Sequence, residues 1–354
     1  MNKIIWISAA VLSVAACAKN EVIHVNSGEN QEITFNVAPK TKAHTEFDKN
    51  FRFKSYAYYL PSGETWASHT TTPSLYIDGA VISNTNPTGT DGVWKAADKT
   101  YYWPKNGSLT FFAYSLNSNN LTFNGGESPT SHFDCHIDSG INGQIDLDAD
   151  PNVDFLVADP AYNQIANEDT YTTISGVKGV PTLFRHQLSW IVFRVKAGNY
   201  VGKEFELKSI KFKGISHAAT YSQNVGFVPT TGGAKTDVSY TQSVQKIPNG
   251  DYADVTFAGT DHWLYIPQTF DATSYIEVIY NIYTTVGTNK VEDKDVIHKI
   301  YLNNGPTPMF TKWEMGKKYT INLTFTLDEI LWDPAVQDWE DVNIGTDTAP
   351  IIVG

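Results

Sequence analysis

Cysteine is scarce in this sequence, and its scarcity limits how the fold can be stabilised. Only Cys17 and Cys135 occur among the 354 residues. If Cys17 carries a lipid, Cys135 has no partner within the chain. A disulfide framework is therefore excluded, and we expect Cys135 to be a buried and unreactive thiol.

The sequence also lacks an excess of basic residues and any recognisable enzyme motif. Its formal net charge is −12, which argues against a nucleic-acid partner because phosphate binding needs a basic face. It contains no Gly-rich phosphate loop, no H-E-x-x-H and no G-x-S-x-G. We therefore expect neither catalysis nor a cofactor.

Two groups of residues resemble metal ligands, but neither has the spacing of a known site. His132, Cys135 and His136 match no paired zinc pattern, and no second pair follows them. Alternating acidic residues run from Asp146 to Asp154 and could offer oxygens to calcium. However, Pro151 stands where an EF-hand loop needs glycine. We expect no metal, a polar loop at the first group and a solvated acidic loop at the second, with calcium there as the alternative.

The residues that are present predict an all-β protein. Aromatic residues make up 13% of the chain, and Tyr, Phe, Trp and Thr suit a pleated, half-buried surface. Long Ala/Leu/Glu/Lys-rich segments, typical of helices, are missing. Apolar residues alternate with polar ones, with a period of two, in several segments. The predicted strands are 32–38, 51–60, 108–115, 153–158, 188–197, 207–215, 275–283 and 318–328, and residues 61–100, 115–152 and 159–182 are expected to be mostly loops.

The chain begins like an exported protein. Lys3 precedes an apolar run over residues 4–16, which is too short for a membrane span and typical of a signal peptide. The run ends Val14-Ala15-Ala16-Cys17, which resembles a bacterial lipobox, so we expect cleavage before Cys17 and lipid attachment to it. An ordinary signal peptide that happens to contain a cysteine is the alternative. Residues 17–31 are predicted to be a tether.

Two further segments are unusual for a simple monomer. Lys40 and Lys42 lie in an exposed-looking stretch after the first strand, the kind of site where proteolytic nicking concentrates. The chain ends in the apolar residues 350–354, which have no obvious hairpin partner and could pair with another sheet edge.

The nine tryptophans suggest a separate possibility, because exposed Trp and Tyr side chains can stack on sugar rings. Trp190 and Trp263 lie in apolar strands and are expected in the core. Trp66, Trp94 and Trp103 flank loops and are less clearly assigned. A surface glycan-binding lipoprotein is therefore the alternative function.

The order of motifs resembles the fimbrillin family of the Bacteroidota, the subunits and accessory or tip proteins of type V pili. After the lipobox come EITFNVAP, TKA, FRFKSYAYYL, YYWPKNGSLTFFAYS, VDFLVA and LFRHQLSWIVFRVKA. LKSIKFKGI, an Ile-Pro-Gln turn, WEMGKKYTINLTF and LWDPAVQDWED follow. Each motif alone is modest, but their order over some 300 residues is much more specific.

The resemblance implies two transthyretin-like β-sandwich domains, which we place at 32–182 and 183–354, after the signal peptide (1–16) and the tether. It implies a structural or adhesive fimbrial subunit, or an accessory or tip protein, with no catalytic activity. The implied partners are other fimbrial subunits, the outer membrane through a lipid anchor, and a trypsin-like processing protease. In this family the protease removes the first strand, and a strand from a neighbouring subunit fills the groove.

Transferred to this sequence, the displaced strand is Glu32–Ala38, with Ile33, Phe35 and Val37 facing the groove. The cleavage site is the bond between Lys42 and Ala43. Arg52 is the nearest arginine, but it lies in a predicted strand and should be protected. The departure from an arginine site leaves open an uncut, lipid-anchored accessory protein. The implied donor strand is formed by Ile351, Ile352 and Val353.

Overall fold

The structure is a computed structural model. It describes residues 31–37, 47–89, 92–117, 131–148, 153–166, 179–230, 238–255 and 264–339. All the regular secondary structure in these ranges is β, which confirms the predicted fold class. None of the described residues belongs to a helix that could span a membrane.

The strands are short and are distributed along the whole described chain. In chain order they are β1 (Phe35–Val37), β2 (Arg52–Leu60), β3 (Ser74–Asn84), β4 (Trp94–Ala96), β5 (Ser108–Asn117), β6 (His132–His136), β7 (Gly140–Asp146), β8 (Asp154–Ala158), β9 (Ala161–Gln164), β10 (Val180–Thr182), β11 (Phe184–His186), β12 (Ser189–Ala197), β13 (Lys203–Lys213), β14 (Ala218–Ser222), β15 (Gly226–Pro229), β16 (Val238–Ile247), β17 (Ala253–Asp254), β18 (Leu264–Tyr265), β19 (Tyr275–Val286), β20 (Asn289–Tyr301), β21 (Lys317–Phe325) and β22 (Ile330–Asp338).

These strands form four sheets. The large sheet has the order β10-β1-β4-β3-β2-β5-β8-β11, and β9 pairs with β5. A small sheet has the order β15-β14-β7-β6. Two further sheets have the orders β17-β12-β21-β22, with β18 paired to β12, and β16-β13-β19-β20. Non-consecutive neighbours are frequent, so the fold is held together by contacts between residues distant in sequence.

The large sheet is buried on both faces. Along β5, successive side chains point to opposite faces, and both sets are apolar. One set packs in a cluster with β1, and the other packs toward the small sheet. The first set is Leu109, Phe111 and Ala113, and the second is Phe112, Tyr114 and Leu116. The short apolar run of β8 is likewise buried on both faces, as its sequence predicts.

Three apolar clusters form the core of the described chain, and the strand residues of the first all come from the large sheet. The first cluster includes Ile33, Phe35, Phe47, Phe53, Phe111 and Phe184. The middle cluster includes Phe112, Phe133, Phe155, Tyr221 and Trp339. The third cluster includes Ile191, Phe193, Phe212, Trp313, Leu323 and Phe325. Both sides of β12 are used, because Ile191 and Phe193 join the third cluster and Trp190 joins the middle one.

One hairpin belongs by pairing to the first half of the fold, although it follows later in the chain. β14 pairs antiparallel with β7, from Ala218 opposite Asp146 to Ser222 opposite Asn142. This hairpin lies beyond residue 182, where the sequence places the domain boundary. The boundary itself stays a prediction.

Three stretches that the sequence assigns to loops contain strands. Residues 61–100 include β3 and β4, residues 115–152 include β6 and β7, and residues 159–182 include β9 and β10. In β3 the reason is visible, because Gly79 has a φ of 59° and the register with β2 shifts between Ser55 and Tyr58. Such bulges interrupt the period of two on which the strand assignment depends.

The end of β21 also differs from the sequence pattern. The alternation predicts that Leu323 and Leu327 share one buried face, yet Leu323 is fully buried and Leu327 is 41% exposed. The chain turns after Phe325. The Thr326 N–H donates to the carbonyl of Glu329 at 2.9 Å, and the Thr326 hydroxyl accepts from the N–H of Glu329 at 2.9 Å.

This difference yields a matched pair of variants. Leu323→Ala should lower the free energy of unfolding by about 2–5 kcal/mol, because it removes fully buried methyl groups and leaves a cavity. Leu327→Ala makes the same chemical change at an exposed site and should cost under about 1 kcal/mol. Urea unfolding of both variants measures the difference, and equal losses would contradict the observed end of β21.

Candidate functional site

β1 is inserted between two other strands of the large sheet. It runs parallel to β10, with Phe35 opposite Val180, and it meets β4 at Trp94. The backbone before it is bonded on both sides. The Val180 N–H donates to the Thr34 carbonyl at 2.8 Å, and the Ile33 N–H donates to the Tyr101 carbonyl at 2.8 Å. β1 is thus paired on both of its edges and connects β10 to the rest of the large sheet.

The apolar side chains of this segment fill the first cluster. Ile33 and Phe35 are 2% and 3% exposed, and Val37 packs partly buried against the same cluster. The Phe35 ring meets Phe53 and Phe111 edge-on, with centroids 5.5 and 5.8 Å apart. All three residues that the sequence assigns to the groove therefore contact it. Their displacement stays a prediction.

Gly179 lets β1 approach β10 closely, and the sequence analysis did not identify it. A Cβ atom built at this position would lie 2.6 Å from the carbonyl carbon of Phe35 and 2.7 Å from the nitrogen of Asn36. Its φ of 142° is also unfavourable for other residues. The sequence signal was weak, because β10 has only three residues and includes Pro181.

The wall around Phe35 is made by residues that follow the predicted cleavage site. Phe47 stacks on Phe184 with centroids 4.4 Å apart, and it meets Phe53 and Trp94 edge-on at 5.7 and 5.5 Å. All four of these wall residues therefore lie outside the segment that cleavage at the predicted site would remove.

Several predicted site residues lie outside the described residues, namely Cys17, Lys42, Ala43, Ile351, Ile352 and Val353, and so does Trp263. The predicted protection of Arg52 has a structural counterpart. Arg52 begins β2 and pairs with Ser83 of β3, and its carbonyl accepts the hydroxyl of Ser115 at 2.6 Å. The pairing holds its backbone in an extended ladder, although the side chain is exposed.

The three residues that resemble zinc ligands, His132, Cys135 and His136, point to different faces of β6 because the strand is pleated. His132 and His136 are exposed, whereas Cys135 is buried. Burial raises the pKa of the Cys135 thiol to about 12, so the thiol is protonated and unreactive at neutral pH, as the sequence predicts. Within the described ranges, no group of three His, Cys, Asp or Glu side chains is arranged to hold a metal ion.

Two members of the acidic run face buried histidines instead of one another. Asp148 lies 2.8 Å from Nδ1 of His217, and Asp154 lies 3.0 Å from Nδ1 of His186. Burial lowers the pKa of His217 despite its neighbouring carboxylate. The His186 ring also stacks on Trp339, with centroids 3.5 Å apart. These two acids therefore contribute to packing around the small sheet and the end of β22.

The less clearly assigned tryptophans fall into two groups. Trp94 and Trp103 are buried in the first cluster, so they are core residues. Trp66 is only partly buried and lines a cleft with a volume of about 380 Å³. Tyr162 and the ion-paired Arg185 and Asp159 line the same cleft. This cleft is the second candidate site.

Comparison with known proteins gives a consistent assignment. Residues 41–339 match the family described as fimbrillin-like, whereas no curated protein sequence matches significantly. A fimbrial protein from Bacteroides vulgatus ATCC 8482 has a similar structure, with a TM-score of 0.63 and 17% sequence identity, covering 88% of this chain and 100% of that one. The C-terminally truncated tip fimbrial protein Mfa3 from Porphyromonas gingivalis gives a TM-score of 0.38 and 10% identity, covering 87% and 100%. Because the family match extends over most of the sequence, this protein belongs to the fimbrillin-like family.

Proposed function

We propose that this protein is a structural or adhesive fimbrial subunit that assembles with other fimbrial subunits on the cell surface. Family membership supports this role. The observation that carries it is the position of β1, a three-residue strand inserted between β10 and β4. Exchange of so short a strand would leave the ladders from β4 to β11 formed, and a new strand would have to restore the pairing with β10.

Export would follow the lipoprotein route. The apolar run over residues 4–16 and the Val14–Cys17 lipobox support cleavage before Cys17 and lipid attachment to it. The lipid would then hold the precursor at the outer membrane. The first described residue, Gln31, already bonds to the fold through Trp103 at 3.0 Å, so residues 17–30 would link the lipid to the large sheet.

Assembly would proceed by strand exchange. A trypsin-like protease would cut after Lys42 and release β1 together with the lipid. Burial of an apolar side chain such as Ile33 or Phe35 contributes roughly 1.5–3 kcal/mol, and the empty groove would lose it. A donor strand from the next subunit would restore this burial and the backbone ladder. Ile351 and Val353 are the candidates for its inward face, with Ile352 between them.

The first test concerns the cleavage site. Trypsin treatment of the folded full-length chain should yield a product that begins at Ala43, because the ordered strand after Arg52 resists proteolysis. Lys42→Ala should abolish that product, whereas Lys40→Ala, a matched change two residues away, should leave it intact. N-terminal sequencing of the products checks this. An Ala43 product from the Lys42→Ala chain would refute the site, and an uncut surface protein beginning at acylated Cys17 would identify an anchored accessory subunit.

The second test concerns β1 as an internal plug. Phe35→Ala should lower the unfolding free energy of the uncut protein by about 3–5 kcal/mol, since it opens a cavity against Phe53 and Phe111. Val37→Ala removes a partly buried side chain and should cost clearly less. After cleavage at Lys42, the Phe35→Ala protein should unfold at the same temperature as the cleaved wild type. A difference that persists after cleavage would show that β1 was not released.

The third test concerns the donor strand. Ile351→Asp combined with Val353→Asp should leave thermal unfolding of the uncut protein unchanged and should prevent the cleaved protein from forming SDS-resistant ladders. A charged side chain in the groove would be buried without a partner. Asp347→Asn, a change in the polar residues just before the apolar end of the chain, is the control and should polymerise normally. Normal ladders from the double variant would assign the donor strand elsewhere.

A further inference from the structure

The cleft beside Trp66 lies on the face of the large sheet that carries the middle cluster, opposite the face that carries Ile33 and Phe35. Phe112, Val157 and Tyr221 line it, and all three belong to the middle cluster. The rest of its lining includes the β6–β7, β8–β9 and β14–β15 turns and residues of β9 and β11, which are distant from one another in sequence. Its volume of about 380 Å³ lies within the range of small-molecule sites, roughly 300–1,000 Å³.

The backbone of Trp66 is hydrogen-bonded on both sides. Its backbone N–H donates to Oδ1 of Asn163 at 2.7 Å, and its carbonyl oxygen lies 2.9 Å from Nδ1 of His69. Asn163 itself adopts a positive φ of 52°, a conformation that asparagine tolerates better than most residues. The Trp66 ring also leans on Phe112, with centroids 5.4 Å apart. The backbone bond to Asn163 and the ring contact with Phe112 thus place a partly exposed aromatic ring at the cleft.

A second aromatic ring completes the surface. Tyr162 is 47% exposed, and its ring centroid lies 6.2 Å from that of Trp66 at an interplanar angle of 38°. Two aromatic side chains at the same cleft, one anchored and one open to solvent, present a broad apolar surface with polar tips. Such a surface suits a ligand that has one apolar face and a polar edge.

Polar groups stand beside these rings. Within the described residues, the carboxylate of Asp138 and the hydroxyl of Tyr162 make no hydrogen bond, so both are available to a ligand. Arg185 forms a bidentate ion pair with Asp159. Its Nε lies 2.7 Å from Oδ1 of Asp159, and its Nη2 lies 2.8 Å from Oδ2. This pair fixes a second acidic group at the cleft.

Side-chain hydrogen bonds connect the turns at this cleft to one another. The side-chain nitrogen of Gln223 donates to the carbonyl of Ala158 at 2.9 Å, and its oxygen accepts from Ile141 at 3.1 Å. The side chain of Asn224 donates to the carbonyl of Asp138 at 3.2 Å. The cleft is therefore formed before any ligand arrives, which lowers the entropy cost of binding.

We infer that this cleft binds a neutral pyranose ring of a glycan. The flat, aliphatic face of such a ring matches the Trp66 and Tyr162 surfaces, and its hydroxyl groups can donate to Asp138. Because Arg185 neutralises Asp159, the Asp138 carboxylate and the net charge of −12 are the charges that disfavour an anionic sugar. The inference is independent of strand exchange, because none of the cleft residues belongs to β1, and Ala158 alone among them also belongs to the first cluster.

The test uses the full chain and a panel of methyl β-D-galactopyranoside, methyl β-D-glucopyranoside, methyl α-D-mannopyranoside and, as an anionic comparison, sialyllactose. Titrations followed by intrinsic fluorescence and by saturation-transfer NMR should detect at least one neutral glycoside at millimolar concentrations. Tyr162→Ala and Asp138→Asn should each weaken that binding by about tenfold, which is the loss of one good contact.

Tyr301→Ala is the matched control, since Tyr301 is a similarly exposed tyrosine, at 41%, on β20. It should leave binding unchanged, and all three variants should unfold at the wild-type temperature. The inference is overturned if no neutral glycoside binds, if only sialyllactose binds, or if Tyr162→Ala and Asp138→Asn bind as the wild type does.

Discussion

The requirement to cover both faces of the large sheet determines most of this structure. β5 and β8 carry apolar side chains on each side, so neither face can be left to water. One face is closed by the first cluster, to which β1 contributes Ile33 and Phe35. The other face is closed by the small sheet, whose β14–β15 hairpin is contributed by a later part of the chain. On each face, the cover thus includes a segment that is distant in sequence from β5 and β8.

The two candidate sites are located on these two covers. The groove of β1 belongs to the first cluster, and the cleft beside Trp66 borders the middle cluster. Within the described part of the chain, the large sheet lies between them, and Ala158 of β8 belongs to both. Changes to the turns around the cleft therefore need not disturb the strand pairing around β1. An assembly surface and a recognition surface can vary separately in such an arrangement.

Sequence reasoning identified the elements that follow a regular period and missed those that do not. The all-β class, β1 and the inward residues of β12 and β21 were predicted correctly, because apolar residues repeat at every second position there. Both faces of β8 were predicted correctly because its apolar run is continuous. β3 was missed because a bulge at Gly79 breaks the alternation. β10 was missed because three residues give no period at all. The predicted burial of Leu327 was wrong, because alternation cannot indicate where a strand ends.

The candidate sites show the same limit. Ile33 and Phe35 could be assigned from their own strand, but Gly179, Phe47 and Phe184 could not, since only the folded chain brings them beside β1. Trp66 could be singled out by residue type, yet Asp138 comes from the β6–β7 turn, Tyr162 from β9 and Arg185 from β11. No local pattern records which of these elements meet. Residue type can indicate a binding role, whereas the partners depend on the topology.

The parallel pairing of β1 with β10 has a consequence for the order of folding. Phe35 stands opposite Val180, so most of the first half of the sheet lies between the two partners along the chain. Closing so long a loop costs entropy before its contacts form, and such non-local pairings are slow. The β10 side of this ladder therefore cannot form until synthesis has passed Val180, long after β1 itself has been made.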